Sequence, residues 1–457
     1  MADPVRIEEL REALRGPVVE PDDEQYDSAR RVYNAMIDKR PRAIAQPVDA
    51  GDVMAAVNFA RSRGLLLAVR GGGHNGAGFG TCNDGLVVDL CRMKGVRVDP
   101  SSGAVRAAGG CTQGEMDHAA HAFGLAVPAG IVSTTGIAGL TLGGGHGYLA
   151  RKYGLTIDNL LEADVVLADG SFVTASASEN QDLFWALRGG GGNFGIVTSF
   201  LYEGRAVSTV VGGVTAWDIG EGPEVMRWYR EFAPAASDDL YGFLALFSVP
   251  PGPPFPKEIH TRNVCAVVWC YLGSPEDAEE AFRPVREFRR PLFHQVGPMP
   301  FTALQGLFDP LLPPGLQWYW KGDFVTELTD EAIEQHCRFG SHLPTPLSTM
   351  HLYPLDGAVH RVGRDESAFS YRDVRWSMVI AGIDPDPANT EAISRWAKDY
   401  WAAVHPYSAG GAYVNFMMEE GGERVRATYQ HNYERLVAIK RRYDPDNLFR
   451  VNQNIQP

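Results

Sequence analysis

Three consecutive glycines and a histidine, in Arg70-Gly71-Gly72-Gly73-His74-Asn75, stand directly after the apolar run Leu65-Leu66-Leu67-Ala68-Val69. Consecutive glycines let a backbone turn tightly and aim several N–H groups at one point, which makes a nest suited to phosphate. The imidazole at the end of that nest is held close to whatever the phosphate carries. A simple nucleotide site has no need of it.

Two further glycine-rich stretches follow. Pro128-Ala129-Gly130-Ile131-Val132-Ser133-Thr134-Thr135-Gly136-Ile137-Ala138-Gly139 leads into Leu142-Gly143-Gly144-Gly145-His146-Gly147-Tyr148. Beyond it, Arg188-Gly189-Gly190-Gly191-Gly192-Asn193-Phe194-Gly195-Ile196-Val197 closes as a strand. Neither the strand–GxGxxG–helix unit nor the GxxxxGK[ST] loop matches this spacing. With Tyr413-Val414-Asn415-Phe416 and the closing Arg442-Tyr443-Asp444-Pro445-Asp446-Asn447-Leu448-Phe449-Arg450 through Asn452-Gln453-Asn454-Ile455, the chain resembles bacterial berberine-bridge-enzyme-like FAD-linked oxidases. That branch belongs to the vanillyl-alcohol oxidase/p-cresol methylhydroxylase (PCMH) superfamily. The resemblance runs from Arg15-Gly16-Pro17 to the end.

The resemblance implies an α+β fold: a two-subdomain PCMH-type FAD-binding domain in residues 1–205 (core 36–205), an antiparallel-sheet cap domain in 206–411, and a berberine-bridge-type segment in 412–457 that returns to the first domain. The texture of the sequence agrees. Up to about Gly204, β-rich runs alternate with helical ones such as Val53 to Arg61 and Gln113 to Phe123, the latter stopped by Gly124. Asp169-Gly170 marks a two-residue hairpin turn. Later, the runs Val210 to Val214, Tyr241 to Ser248, Val264 to Leu272 and Trp376 to Ile383 predict a sheet, with helices at Pro223 to Phe232, Pro275 to Phe288 and Ala392 to Val404 on one face.

By the same resemblance His74 carries FAD covalently through the flavin 8α-methyl, a bond that fixes the ring and raises its potential. Relatives add a cysteinyl bond from the loop that here reads Ala129-Gly130-Ile131-Val132, and Val132 cannot form it. The remaining cofactor contacts implied are Arg70, Gly71, Gly72, Gly73, Asn75 and Gly78 in the first stretch. Gly130, Val132, Ser133, Thr134, Gly136, Gly139, Gly143, Gly144, His146 and Tyr148 follow in the second, then Asn193, Gly195, Ile196 and Val197, and finally Asn415 and Asn452. Thr135 takes the place that admits or blocks dioxygen beside the flavin. Tyr413, on a strand over the flavin, is the candidate general base, and Tyr371 is a second candidate; a phenol needs its pKa of about 10 depressed for that work. Lys321 is placed to line the pocket or lower a phenol's pKa. Aromatic residues of the cap (Trp318, Tyr319, Trp320, Tyr353, Trp376) point to a substrate with a ring face, either a sugar or an aromatic or polyketide-type metabolite.

A formal charge of −14 argues against nucleic acid or an anionic membrane as partner. The longest apolar run, Val264 to Leu272, is too short to span a bilayer. The charged stretch up to Arg15 carries no secretory h-region, so a cytoplasmic protein is expected. The six cysteines form no CxxC pair; Cys265 and Cys270 fall on opposite faces of a strand. His118 and His121 share a helix face without a third ligand nearby, and no metal site is expected. The reading is an oxidase that passes substrate hydride to flavin N5 and then electrons to dioxygen, giving hydrogen peroxide. A flavin monooxygenase or oxidative cyclase, and a flavin-binding protein without turnover, stay open. The oligomeric state is open too.

Overall fold

The computed structural model describes residues 6–457. Val18–Val19 (β1), Ala43–Ala45 (β2), Leu67–Arg70 (β3) and Leu86–Asp89 (β4) form a sheet ordered β1-β2-β4-β3, with β4 parallel to both neighbours. Both of its faces are covered, which suits unbroken apolar strands. Leu67, Leu86 and Val88 pack under the helix Ala50–Arg63, while Ala68 and Val87 meet Val19, Tyr26 and Ile44 on the far side. That helix begins where the Asp49 carboxylate accepts the Asp52 N–H. It ends at Gly64, whose φ of 63° satisfies the left-handed stop.

A second, antiparallel sheet holds Val96–Val98 (β5), Ala104–Ala108 (β6), Leu160–Val166 (β7), Phe172–Ser176 (β8) and Ile196–Glu203 (β9), ordered β5-β6-β9-β7-β8. The expected two-residue turn at Asp169-Gly170 is instead part of a five-residue loop, since Val166 pairs with Phe172. There the Asp169 carboxylate accepts both the N–H and the hydroxyl of Ser171, which closes the longer loop.

Seven strands make the cap: Thr209–Asp218 (β10), Leu240–Ser248 (β11), Asn263–Tyr271 (β12), Phe293–Pro300 (β13), Gln317–Val325 (β14), Thr349–Pro354 (β15) and Trp376–Asp384 (β16). All neighbours are antiparallel, in the order β13-β10-β12-β11-β15-β16-β14. Period-two alternation gives the sheet two buried faces. Trp217, Leu244, Met350, Trp376 and Ile380 pack against helices Gly222–Ala235, Asp330–Gly340 and Thr390–Val404. Tyr241, Phe243, Tyr353 and Val379 lie on the other face with Tyr148 and Leu149, which follow the second glycine-rich stretch. Cys265 and Cys270 fall on opposite faces, in those two cores, and every cysteine is free. The helix expected over Pro275 to Phe288 is two, Pro275–Ala281 and Arg283–Phe288, because Pro284 has no N–H to continue the ladder. Among the described residues no helix is long and apolar enough to cross a membrane.

The C-terminal segment packs back on the second sheet: Ala412, Val414, Met417, Tyr429, Leu436 and Ile455 share one core with Val105, Val165 and Phe200. Its anchor is ionic. The fully buried Lys440 ammonium lies 2.5 Å from Asp444 and donates to the carbonyls of Asn193 (2.8 Å) and Phe449 (3.0 Å). The Asp444 carboxylate also accepts the N–H groups of Leu448 and Phe449. Removing one partner of such a pair strands the other charge in the interior, at a cost of about 3–5 kcal/mol. Asp444→Ala is therefore expected to lose stability on that scale in urea unfolding. A loss under ~1 kcal/mol, the range of an exposed pair, would contradict this account.

Candidate active site

Between the glycine-rich loops and the cap sheet runs a cavity of about 370 Å³. Its nest end begins where β3 stops. The buried Arg70 guanidinium turns away from the loop to Asp89 (2.8 Å) and to the carbonyls of Ala29 and Arg31, so it braces the turn from behind. Gly72 lies against Gly136 of the second loop. A Cβ on Gly72 would stand 2.3 Å from the Gly136 nitrogen, so glycine alone permits this contact. The backbone N–H groups of Gly72, Gly73, His74 and Asn75 donate to nothing among the described residues. Four consecutive free donors at a concave turn fit a diphosphate.

His74 closes the nest. Tyr33 stacks on its ring at 3.8 Å, Thr134 Oγ1 lies 3.1 Å from Nε2, and Thr135 Oγ1 lies 3.5 Å from Nδ1, too long for more than a contact. Burial lowers its pKa to about 4, so the imidazole is neutral and keeps a nucleophilic nitrogen. Val132 lines the wall nearby, with Gly130, Gly136 and Gly139. Cys82 and Cys111 are outside the cavity; Cys111 contacts the backbone of Gly95.

The third loop contributes Asn193, Gly195, Ile196 and Val197, and the C-terminal tail Asn415 and Asn452. Asn193 donates to the carbonyls of Gly190 and Gln453 and accepts the Ile455 N–H. Asn452 donates to Gly192 O. Tail and loop are thereby laced into one wall.

At the cap end Tyr413 is buried. Its phenol oxygen accepts the Gly145 N–H (2.9 Å) and the Asn415 amide (2.8 Å), while its own proton has no acceptor among the described residues. Burial pushes its pKa up to about 12, and the two donors pull the other way. His146 lies beside it, ring to ring at 4.6 Å, with neither nitrogen bonded; burial lowers its pKa to about 3.

Other expected positions are elsewhere. The Tyr413–Phe416 stretch is not a strand but leads into a 3-10 turn at Val414–Phe416, closed by the Phe416 N–H on Tyr413 O. Tyr371 is outside the cavity, its hydroxyl held by the carbonyl of Ala427 at 3.0 Å, so it is not placed to act as base. Lys321 faces away, paired with Glu420 at 2.7 Å under the Trp401 ring. Tyr319 and Trp376 belong to the helix-side core; Trp318, Trp320 and Tyr353 do line the cavity. Gly78 packs on Ile37, Gly143 on the Asn415 side chain and Gly144 on Phe369, so these glycines serve packing rather than the cavity wall. Tyr148 is buried between Tyr241 and Phe243 under the cap sheet, away from the wall. Ser133 is turned out to the cap, where its N–H and hydroxyl donate to Asp309. Thr134 reaches the site through His74. Sequence reasoning missed Tyr33, which no motif marks, and His351, which only the alternation along β15 could have suggested.

A family model described as an FAD binding domain matches residues 41–176, and one described as berberine and berberine like matches residues 412–456. An FAD-linked oxidoreductase of Dictyostelium discoideum is 32% identical across 99% of this chain and 97% of its own length. The chain belongs to the berberine-like FAD-linked oxidoreductases. The crystal structure of 6-hydroxy-D-nicotine oxidase from Arthrobacter nicotinovorans covers 100% of both chains with a TM-score of 0.87 at 26% identity. Glucooligosaccharide oxidase from Acremonium strictum, whose FAD is 6-S-cysteinyl and 8α-N1-histidyl, shares the fold at a TM-score of 0.86, 24% identity and 98% and 99% coverage.

The same region carries a titrating contact between the FAD-binding part and the cap. Asp117 is buried and accepts the Gln305 amide at 3.1 Å; burial first, and the Asp309 carboxylate second, push its pKa up to about 8. The folded protein keeps this proton up to about pH 8, whereas an unfolded carboxyl gives it up near pH 4. The folded state thus binds more protons between these limits, and stability falls as pH rises through them. Asp117→Asn, which cannot ionise, is expected to lose that slope and to unfold later than wild type in urea at pH 8.5. Equal pH slopes for the two proteins would contradict the raised pKa.

Proposed function

We propose that this enzyme is a monocovalent FAD oxidase, its flavin attached at the 8α position to His74 with no cysteinyl bond, acting on the alcohol or an activated carbon of a small molecule. The observation that carries the reading is the His74 ring, held by Tyr33 and Thr134 at the end of four free backbone donors, with Val132 lining the same cavity. When bound, FAD supplies a two-electron acceptor for substrate hydride and an electron donor to dioxygen, with hydrogen peroxide as product. The Thr134 contact to Nε2 leaves Nδ1 the freer nitrogen for the bond.

The chain's own residues do the positioning and the proton work. Arg70 and the Gly72–Gly136 contact hold the nest in shape. Tyr33 and Thr134 fix the His74 ring. Tyr413 takes the substrate's hydroxyl proton: the Gly145 N–H and the Asn415 amide already point at its oxygen and stabilise the phenolate that does so. Because burial sets its pKa near 12, the competent form grows with pH, and reduction should accelerate toward the alkaline side. Thr135, a small side chain on the cavity wall, leaves room for dioxygen. Residues 1–205 and 412–457 form the cofactor half of this reading and 206–411 the substrate half.

Anaerobic stopped-flow reduction of the flavin tests the assignment. Tyr413→Phe keeps the ring and the fold, and is expected to slow reduction by about 10²–10⁴-fold, the usual worth of general-base help, and to flatten the alkaline rise. Unchanged reduction would remove Tyr413 from the proton path. When air is admitted to the same samples, Thr135→Leu should delay reoxidation and peroxide formation while leaving reduction intact.

A further inference from the structure

The cap wall holds a polar pair that the mechanism above leaves unused. Along β15, Thr349, His351 and Tyr353 line the cavity, while Met350 and Leu352 are buried in the helix-side core. His351 Nδ1 and Tyr353 Oη lie 2.6 Å apart, and Phe243 backs both rings at 5.2 and 4.9 Å. A pair this close, two residues apart on one strand face, holds both side chains in a single arrangement. His351 Nε2 has no partner among the described residues. The unbonded His146 ring stands 5.1 Å from that of Tyr353, on the side toward Tyr413.

The charge of this wall is as informative as its shape. Arg70 is the one formally charged side chain among the described residues lining the cavity, and it is committed to Asp89 at the nest end. Burial keeps His351 and His146 neutral and holds the Tyr353 phenol protonated. A charged ligand group would enter here without a counter-charge, at a steep desolvation cost. An uncharged oxygen would instead meet hydrogen-bonding groups that lack partners.

We propose that the His351–Tyr353 pair is the subsite that anchors the substrate and selects an uncharged ring bearing a hydroxyl or carbonyl oxygen remote from the carbon to be oxidised. With the buried Tyr353 hydroxyl as donor to Nδ1, the neutral imidazole carries its proton on Nε2, where it meets that oxygen. His351 is a positioning and specificity residue, and the proposal rests on the proposed function only in placing the oxidised carbon by Tyr413.

Equilibrium binding to the FAD-loaded protein tests it without requiring turnover. Four probes are titrated by flavin absorbance and calorimetry: benzyl alcohol, 4-hydroxybenzyl alcohol, 4-(hydroxymethyl)benzoate and 4-(aminomethyl)benzyl alcohol. The 4-hydroxy probe should bind up to about tenfold more tightly than benzyl alcohol, the scale of one net hydrogen bond, and neither charged probe should gain on it. His351→Leu should erase the advantage while leaving the benzyl alcohol Kd in place, and His351→Gln should restore part of it. Several results would overturn the proposal: equal Kd values for the two neutral probes, tightest binding of a charged probe, no binding of any probe, or a uniform loss across all four in His351→Leu. A protein that binds as described yet oxidises none of the probes would count against the proposed function alone.

Discussion

The contact between Gly72 and Gly136 sets the geometry of everything around the cavity. Any side chain on either residue would drive a Cβ to within about 2.3 Å of the other loop's backbone, so the two loops can touch only as glycine on glycine. That touch leaves the N–H groups from Gly72 to Asn75 turned away from protein acceptors, and it brings Thr134 and Thr135 beside the His74 ring. Backbone donors make an anion site with no charged side chain, which is why Arg70 can be spent on bracing the turn.

The other walls are held to this centre by a few specific bonds. Lys440 and Asp444 pin the tail to the Asn193 loop from inside the core. Asp309 takes both donors of Ser133, and the Tyr33 hydroxyl reaches the Leu312 carbonyl at 2.8 Å, so one cap loop is tied to both sides of His74. The cap sheet can then offer one face to helices and the other to the cavity. That two-sidedness lets a single strand, β15, stabilise the cap through Met350 and Leu352 and address the substrate through His351 and Tyr353.

How much of this was legible in the sequence follows from what leaves a local mark. A turn that needs several glycines writes them consecutively, so the nest, His74 and the third loop could be read directly, as could the missing sulfur at Val132. The cap's sheet and helices were legible from alternation and periodicity. What failed was the assignment of direction. Gly143 and Gly144 look like Gly72 and Gly73 in the sequence but are small so that Asn415 and Phe369 can approach. Tyr148, Tyr319, Trp376 and Tyr371 are aromatics of the right kind facing the wrong way, because which face of a strand or side of a loop meets the cavity is decided by packing far along the chain. Tyr33 stacks on a residue that only the tertiary fold brings to it.

The proposed attachment has this nest holding a flavin against the His74 imidazole. Its most direct measurement is mass spectrometry of tryptic peptides from acid-denatured, flavin-loaded protein. A peptide containing His74 that is heavier by one FAD and retains flavin absorbance is expected, with all six cysteines unmodified. Complete release of the flavin into acid with an unmodified His74 peptide, or flavin found on any cysteine, would contradict it.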